Sequence, residues 1–423
     1  MFFEFIGKKV GCNITFMDYK GIMNVEMNKG VYICIILLFL LSISTVYAAE
    51  IHVGSQNASY TSIQNAITTA QSGDTIFVHH GFYNEAVEVY KTVKLIGINH
   101  PVLSYSGPDD IVSITADNCL FDGFILQNGT NTSFSGLNIE SDYNVIRNNT
   151  FRNITGNGLY LFYAKNNTLS DNRFFSNGIS IIGSQNDWTT HTIINNTVNA
   201  LPIYFFQNQQ NLSIRNLSAG QIICANCSFC IIANNSISES GEGITLGYSD
   251  HSQINQNTLS NNRIGLRIQY SSNNTISTNT FSENRYGIYI THSFDNELVK
   301  NSILNNSAYG CWICCNSKRN QLYRNFFSMN ANSAYDIFDN TWFKDGVGNY
   351  WSDYRGTDTD QDGIGDTAYE ILPVYADSTD PYPVVSFDRV DSSSQKNESP
   401  TSGILLLLFF LFIVVYWKKK NKK

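Results

Sequence analysis

A loose repeat of about 22 residues runs through the middle of this chain and restricts its fold more than any other feature. One element of the repeat is an Asn, usually followed by Thr, Ser, Leu or Phe (Arg after Asn172), and then an apolar residue. It falls at Asn149, Asn172, Asn196, Asn216, Asn235, Asn257, Asn279, Asn301 and Asn325. The other element reads Gly-apolar-x-apolar and starts at Gly136, Gly158, Gly178, Gly243, Gly265, Gly287 and Gly310. A fixed period in this range signals a solenoid. Each apolar patch is short and alternates in polarity, which is the period of a strand. No stretch of the repeat region keeps a helical apolar period long enough for a helix pair. One short strand recurring at a constant interval gives a parallel β-helix, in which each coil lays its strands on those of the coil below.

The Asn repeat has a physical reason. Asn tolerates the left-handed conformation of a sharp corner. Stacked at one corner of successive coils, its amide donates in one direction and accepts in the other, which forms a ladder. About ten coils at roughly 4.8 Å each predict a rod about 45–50 Å long. Its open end needs a cover. Ser62 reads as an N-cap, and Ile63, Ala66, Ile67 and Ala70 form one apolar face of a short helix, the expected lid. Gly73-Asp74 ends that helix, and Thr75–Val78 begins the first strand of the expected rod.

The segment SIQNAI…SGDTIFV…GFYNE…LIG resembles the opening of pectin-lyase-like right-handed β-helix proteins. The coils and the closing GNYWSDYRGTDTDQDGIGDTAYEI resemble archaeal surface proteins with the NosD-like, carbohydrate-binding-and-hydrolase (CASH) β-helix domain. The resemblance covers roughly Ile51 to Pro383, and its most specific part is Gly348–Ile371. It implies an all-β, right-handed parallel β-helix of about ten or more coils with an N-terminal capping helix. Three functions are to be weighed: non-catalytic glycan binding or a structural part in the cell envelope, polysaccharide cleavage by a lyase or glycoside hydrolase, or maturation of a copper site.

The chain is expected to divide into 1–49 (extension and export signal), 50–345 (β-helix), 346–390 (closing segment with an Asp-rich loop), 391–402 (linker), 403–417 (membrane anchor) and 418–423 (basic cytoplasmic tail). Met27-Asn28-Lys29, the apolar run Val31–Leu41 and the small residues up to Ala48 and Ala49 read as an export signal, with Met27 as the expected start. Gly403–Trp417 is apolar and is followed by five lysines, so the β-helix is expected outside the cell. A formal charge of -8 and the lack of a basic stripe argue against nucleic acid. The expected partners are cell-envelope glycans or surface-layer proteins, with the membrane reached through the C-terminal segment.

Asp358-x-Asp360-x-Asp362-Gly363-Ile364-Gly365-Asp366 matches a calcium loop, with four carboxylates and the Ile364 carbonyl as ligands, although position twelve is Tyr369 where Glu is usual. A solvated acidic turn is the alternative. Cys119, Cys224, Cys227, Cys230, Cys311, Cys314 and Cys315 are read as core packing, local disulfides or a metal site. The Cys224–Cys230 and Cys311–Cys315 groups lie about four coils apart, roughly 19 Å, too far to be bridged. Scarce Met and the lack of a His pair near the thiols argue against copper.

The residues two after each coil Gly are expected to point outward from one sheet: Asn138, Tyr160, Ser180, Thr245, Arg267, Tyr289 and Trp312. Tyr160, Tyr204, Arg267, Tyr289 and Trp312 are therefore the candidate sugar-binding residues. No two carboxylates fall at one coil offset, and Arg267 has no carboxylate at its own offset in a neighbouring coil, which speaks against a lyase or hydrolase without excluding one. Asn57 and Asn397 are the clearest glycosylation candidates, being outside the coils.

Overall fold

A computed structural model describes residues 48–56, 58–373 and 378–386, and separately two strands, Asn13–Asp18 and Gly21–Glu26, that pair as an antiparallel hairpin. The expected membrane anchor, basic tail and most of the export signal lie outside the described residues, as do Asn57 and Asn397. Among the described residues no helix is long and apolar enough to cross a membrane.

From Glu50 onward the chain is a β-solenoid. Coil after coil contributes short strands that pair in parallel and in register, as in Leu137 on Leu159 and Ile146 on Leu169. The inward residues form two buried hydrophobic cores. The lid is where the sequence puts it: helix Ile63–Thr69, with the Ser62 hydroxyl accepting from the Asn65 amide. Glu85 adds a second cap, its carboxylate accepting from the amides of Ile63 and Gln64. Thr75–Val78 is a strand, but Glu50–Val53 precedes it in the same sheet.

The corner chemistry is divided between two neighbouring residues. Each ladder Asn follows a residue with left-handed φ: Asn148 before Asn149, Asp171 before Asn172, Thr278 before Asn279, Lys300 before Asn301. The ladder residue itself is buried. Asn279 illustrates the bonding, donating to Ile254 O and to Asn301 Oδ1 while its own Oδ1 accepts from Asn257. One ladder runs from Asn149 through Asn172 to Asn196. Another runs from Asn235 to Asn349 and ends on the Asp380 carboxylate. Asn216 is not in it, because it takes the left-handed position itself and leaves Leu217 at the ladder position. Several sequon residues (Asn148, Asn195, Asn234) are these left-handed corner residues and are exposed.

The solenoid is not one rod. Asn199 and Ala200 both have positive φ and form a tight turn. Thr197–Val198 then pairs antiparallel with Pro202 and Leu201, while Ile203–Gln207 of the same strand pairs parallel with Gln221–Ala225. Strand direction is thereby reversed and a second stack begins. It runs back beside the first: Ser180 meets Glu242, and Asn157, one coil earlier, meets Arg263, one coil later. Reversing both strand direction and advance keeps the coil handedness the same in both stacks. Strand Gln221–Ala225 is the partition, with Ile223 and Ala225 in the first core and Ile222 and Cys224 in the second. The Gln221 amide extends the first stack by bonding both N and O of Ile179.

Candidate functional site

The fold-back changes the reading of the outward column. Asn138, Tyr160 and Ser180 are register partners in one sheet. Thr245, Arg267, Tyr289, Trp312 and Tyr335 are register partners in another. The single expected column is therefore two columns, and the two stacks bring their near ends face to face. Tyr160 from the first stack and Arg267 and Tyr289 from the second line one cleft of about 340 Å3, together with Thr132, Asn157, Arg263, Arg285 and Tyr286.

At its base Glu242 is almost fully buried, with 1% of its surface exposed. Its Oε1 accepts from Arg267 at 2.7 Å, Arg263 at 3.3 Å and Ser180 at 2.9 Å, and its Oε2 accepts from Thr245 at 2.9 Å. Burial pushes the Glu242 carboxyl up, but Arg267, Arg263 and the two hydroxyls together bring it below its ordinary value. Burial opposes the charge on both arginines; Glu242 outweighs it at Arg267, whose pKa is raised, and does not at Arg263, whose pKa is lowered. Burial also pushes the Tyr160 phenol up to about 12, so it stays a neutral donor. The partner of Arg267 was missed in the sequence because Glu242 sits one residue before the coil Gly, three positions from the outward column. Reading the residue before each Gly shows the signal: Glu242, Ile264, Tyr286 and Tyr309 are register partners, and only Glu242 is acidic.

Beyond the cleft the second stack carries an aromatic pavement. Trp312 stacks on Tyr335 with ring centroids 4.0 Å apart and on Tyr289 at 6.4 Å. Tyr286 and Tyr309 stack in the adjoining column and meet Trp312 edge-on. All five are partly exposed. Tyr204 does not join them. Its register partner is Ile222, and its ring packs against the second core, stacked near Phe206.

The Asp-rich loop brings oxygens of Asp358, Asp360 and Asp362 within 4.8 Å of one another. Asp366 is not in that group, because its carboxylate is held by the hydroxyls of Thr357 and Thr359. The Ile364 amide donates to Asp362. The seven thiols are free, and all but Cys315 are buried. Cys224 and Cys311 stand four strands apart in one sheet, as the repeat predicts. Among the described residues no group of three His or Cys side chains comes within metal-sharing distance.

Residues 176–356 match the family described as periplasmic copper-binding protein (NosD), and residues 85–219 match the right-handed β-helix region. Over these residues the chain resembles NosD-like right-handed β-helix proteins. The NosD-like chain is 42% identical over 66 residues to the probable ABC transporter binding protein NosD of Pseudomonas aeruginosa, a match covering 15% of each chain. It is 41% identical over 76 residues to the protein of the same name from Stutzerimonas stutzeri, covering 16% of this chain and 17% of that one. The NosD-like chain thus matches only a small part of the length of these relatives. Among solved structures it resembles pectate lyase Pel9A (14% identity, TM-score 0.31, 85% of this chain and 94% of that one) and the Dettilon tailspike protein (13%, 0.35, 72% and 66%). Cys227 lies beside both Cys224 and Cys230, and Cys314 Sγ lies 2.7 Å from Cys315 Sγ.

Proposed function

We propose that this is an exported, membrane-tethered surface protein that binds envelope glycans along the second stack without cleaving them. The observation that carries this reading is the pavement of Tyr286, Tyr289, Tyr309, Trp312 and Tyr335 beside a cleft lined by hydrogen-bonding groups. Flat, partly exposed rings suit the apolar faces of sugars, and the polar lining suits their hydroxyls. The one carboxylate at the cleft is locked into ion pairs and held below its ordinary pKa, a poor general acid. Glycosidic cleavage needs a second carboxylate in reach of the first.

The test is a glycan array together with a reducing-end assay on the full chain. Binding without new reducing ends is expected. Trp312→Ala should weaken binding about tenfold or more, the behaviour of a central aromatic anchor. Unchanged affinity in that variant, or release of new ends by the parent protein, would overturn the reading. Calcium is the expected structural ion at Asp358, Asp360 and Asp362, where it would neutralise three clustered carboxylates. Millimolar calcium should then raise the melting midpoint, and Asp360→Asn should abolish that rise. Equal midpoints with calcium and with a chelator would refute it.

A further inference from the structure

The charges at the base of the cleft do not balance. Glu242 is one carboxylate, and it faces two guanidiniums, Arg263 and Arg267. A third, Arg285, is exposed at the mouth, where it lies over the Tyr286 ring and forms no ion pair among the described residues. No acidic side chain is among the residues lining the cleft. Arg267 is 8% exposed, and its Nε has no hydrogen-bond partner. The Nε of Arg263 is likewise buried and unpartnered. Burying a cation without a full counter-charge is costly, and a guanidinium whose N–H groups are left unused adds to that cost. This excess sits in a chain of net charge -8, so it is local to the cleft.

The surroundings say what kind of anion would enter. Tyr160 of the first stack and Tyr286 and Tyr289 of the second are among the cleft's lining residues. Asn157 is already engaged by Arg263, and Ser180 by Glu242, so the base is fixed while the guanidiniums of Arg263, Arg267 and Arg285 line the cleft. The space is at the small end of ligand pockets. Tyr289, one of its lining residues, stacks on Trp312. We propose that the cleft is an anion subsite that seats a carboxylate or sulfate carried by one sugar of the bound glycan. The charge lies on Arg267, Arg263 and Arg285, and the neighbouring rings of the glycan lie on the pavement. This rests on the glycan-binding reading and adds its ligand class.

The experiment is titration calorimetry of the full chain against three oligosaccharides of equal length: a uronate oligomer, its carboxyl-reduced neutral counterpart, and a sulfated neutral oligomer. The expected result is binding of at least one anionic oligomer about tenfold or more tighter than the neutral one, with the difference shrinking as salt rises. Whichever anion binds tighter identifies the substituent. Arg267→Gln should remove most of the preference. Because it also strips a partner from Glu242, Arg285→Gln is the control that breaks no ion pair; it should reduce the preference severalfold. Equal binding of all three oligomers, unchanged in both variants, would overturn the anion subsite and leave glycan binding standing. Binding of none would overturn both.

Discussion

Replacing His191 by Asn is expected to stabilise the protein in acid by about 3 kcal/mol relative to the parent, and to change little near pH 7.5. His191 occupies the ladder position one coil beyond Asn167, where its Nδ1 accepts from the Asn167 amide. The ring is buried, its Nε2 has no partner, and burial lowers its pKa to about 4 from 6.5. The unfolded chain therefore binds a proton between those two values and the folded one does not. Stability from this group is complete above pH 6.5 and is lost as the pH falls toward 4. An Asn can supply the same acceptor without titrating. Asp380 works in the opposite sense: burial raises its carboxyl from 3.8 to about 6, so its contribution declines as the pH rises through 6. The parent profile mixes the two, and the difference between variant and parent isolates His191. Urea unfolding at several pH values reads that difference; a constant offset from pH 7.5 to 4 would refute the assignment.

Trp188→Ala is expected to cost about 3–5 kcal/mol, the range for removing a large buried aromatic side chain. Trp188 is fully buried on the short helix Gln185–Thr189, which departs from the first stack just before the fold-back. Its indole lies flat against Gly247 of the second stack, where a Cβ would clash with the ring. Tyr248 meets it edge-on and donates to Gly183 O at 2.7 Å. The ring is thus the wedge that sets one stack against the other. A lower urea midpoint and faster proteolysis at the Asn199–Ala200 turn should accompany the substitution. Gly247→Val should reproduce the loss from the other side, because the same contact becomes a clash. A midpoint within experimental error of the parent would show that the wedge carries no weight.

The coil architecture was legible because it is written locally and repeated. Asn235, Asn257, Asn279 and Asn301 recur every 22 residues, and the Ser62 cap and its apolar face lie within a few residues of each other. The fold-back was not legible, because left-handed residues occur at nearly every corner and Asn199–Ala200 looks like one more. Leu201 and Pro202 continue an apolar stretch and give no sign that the strand has reversed. The cleft inherits that blindness. Tyr160, Arg267 and Tyr289 were picked out by their place in the coil, yet what joins them is the meeting of Asn157 with Arg263 across 106 residues. Tyr204 failed as a site residue because the reversal turns its side of the strand toward the second core.

Solenoids ordinarily gain or lose coils freely, since each coil touches only its neighbours. Here the two arms read against each other like the scales of a vernier. Asn157 and Arg263 meet because each lies the same few coils from the turn. One coil inserted in a single arm between the turn and the cleft would slide that wall by about 4.8 Å, and Asn157 would no longer meet Arg263. A coil added to both arms at once would restore the match. Coil number beyond the cleft stays free to vary, while coil number inside it is counted.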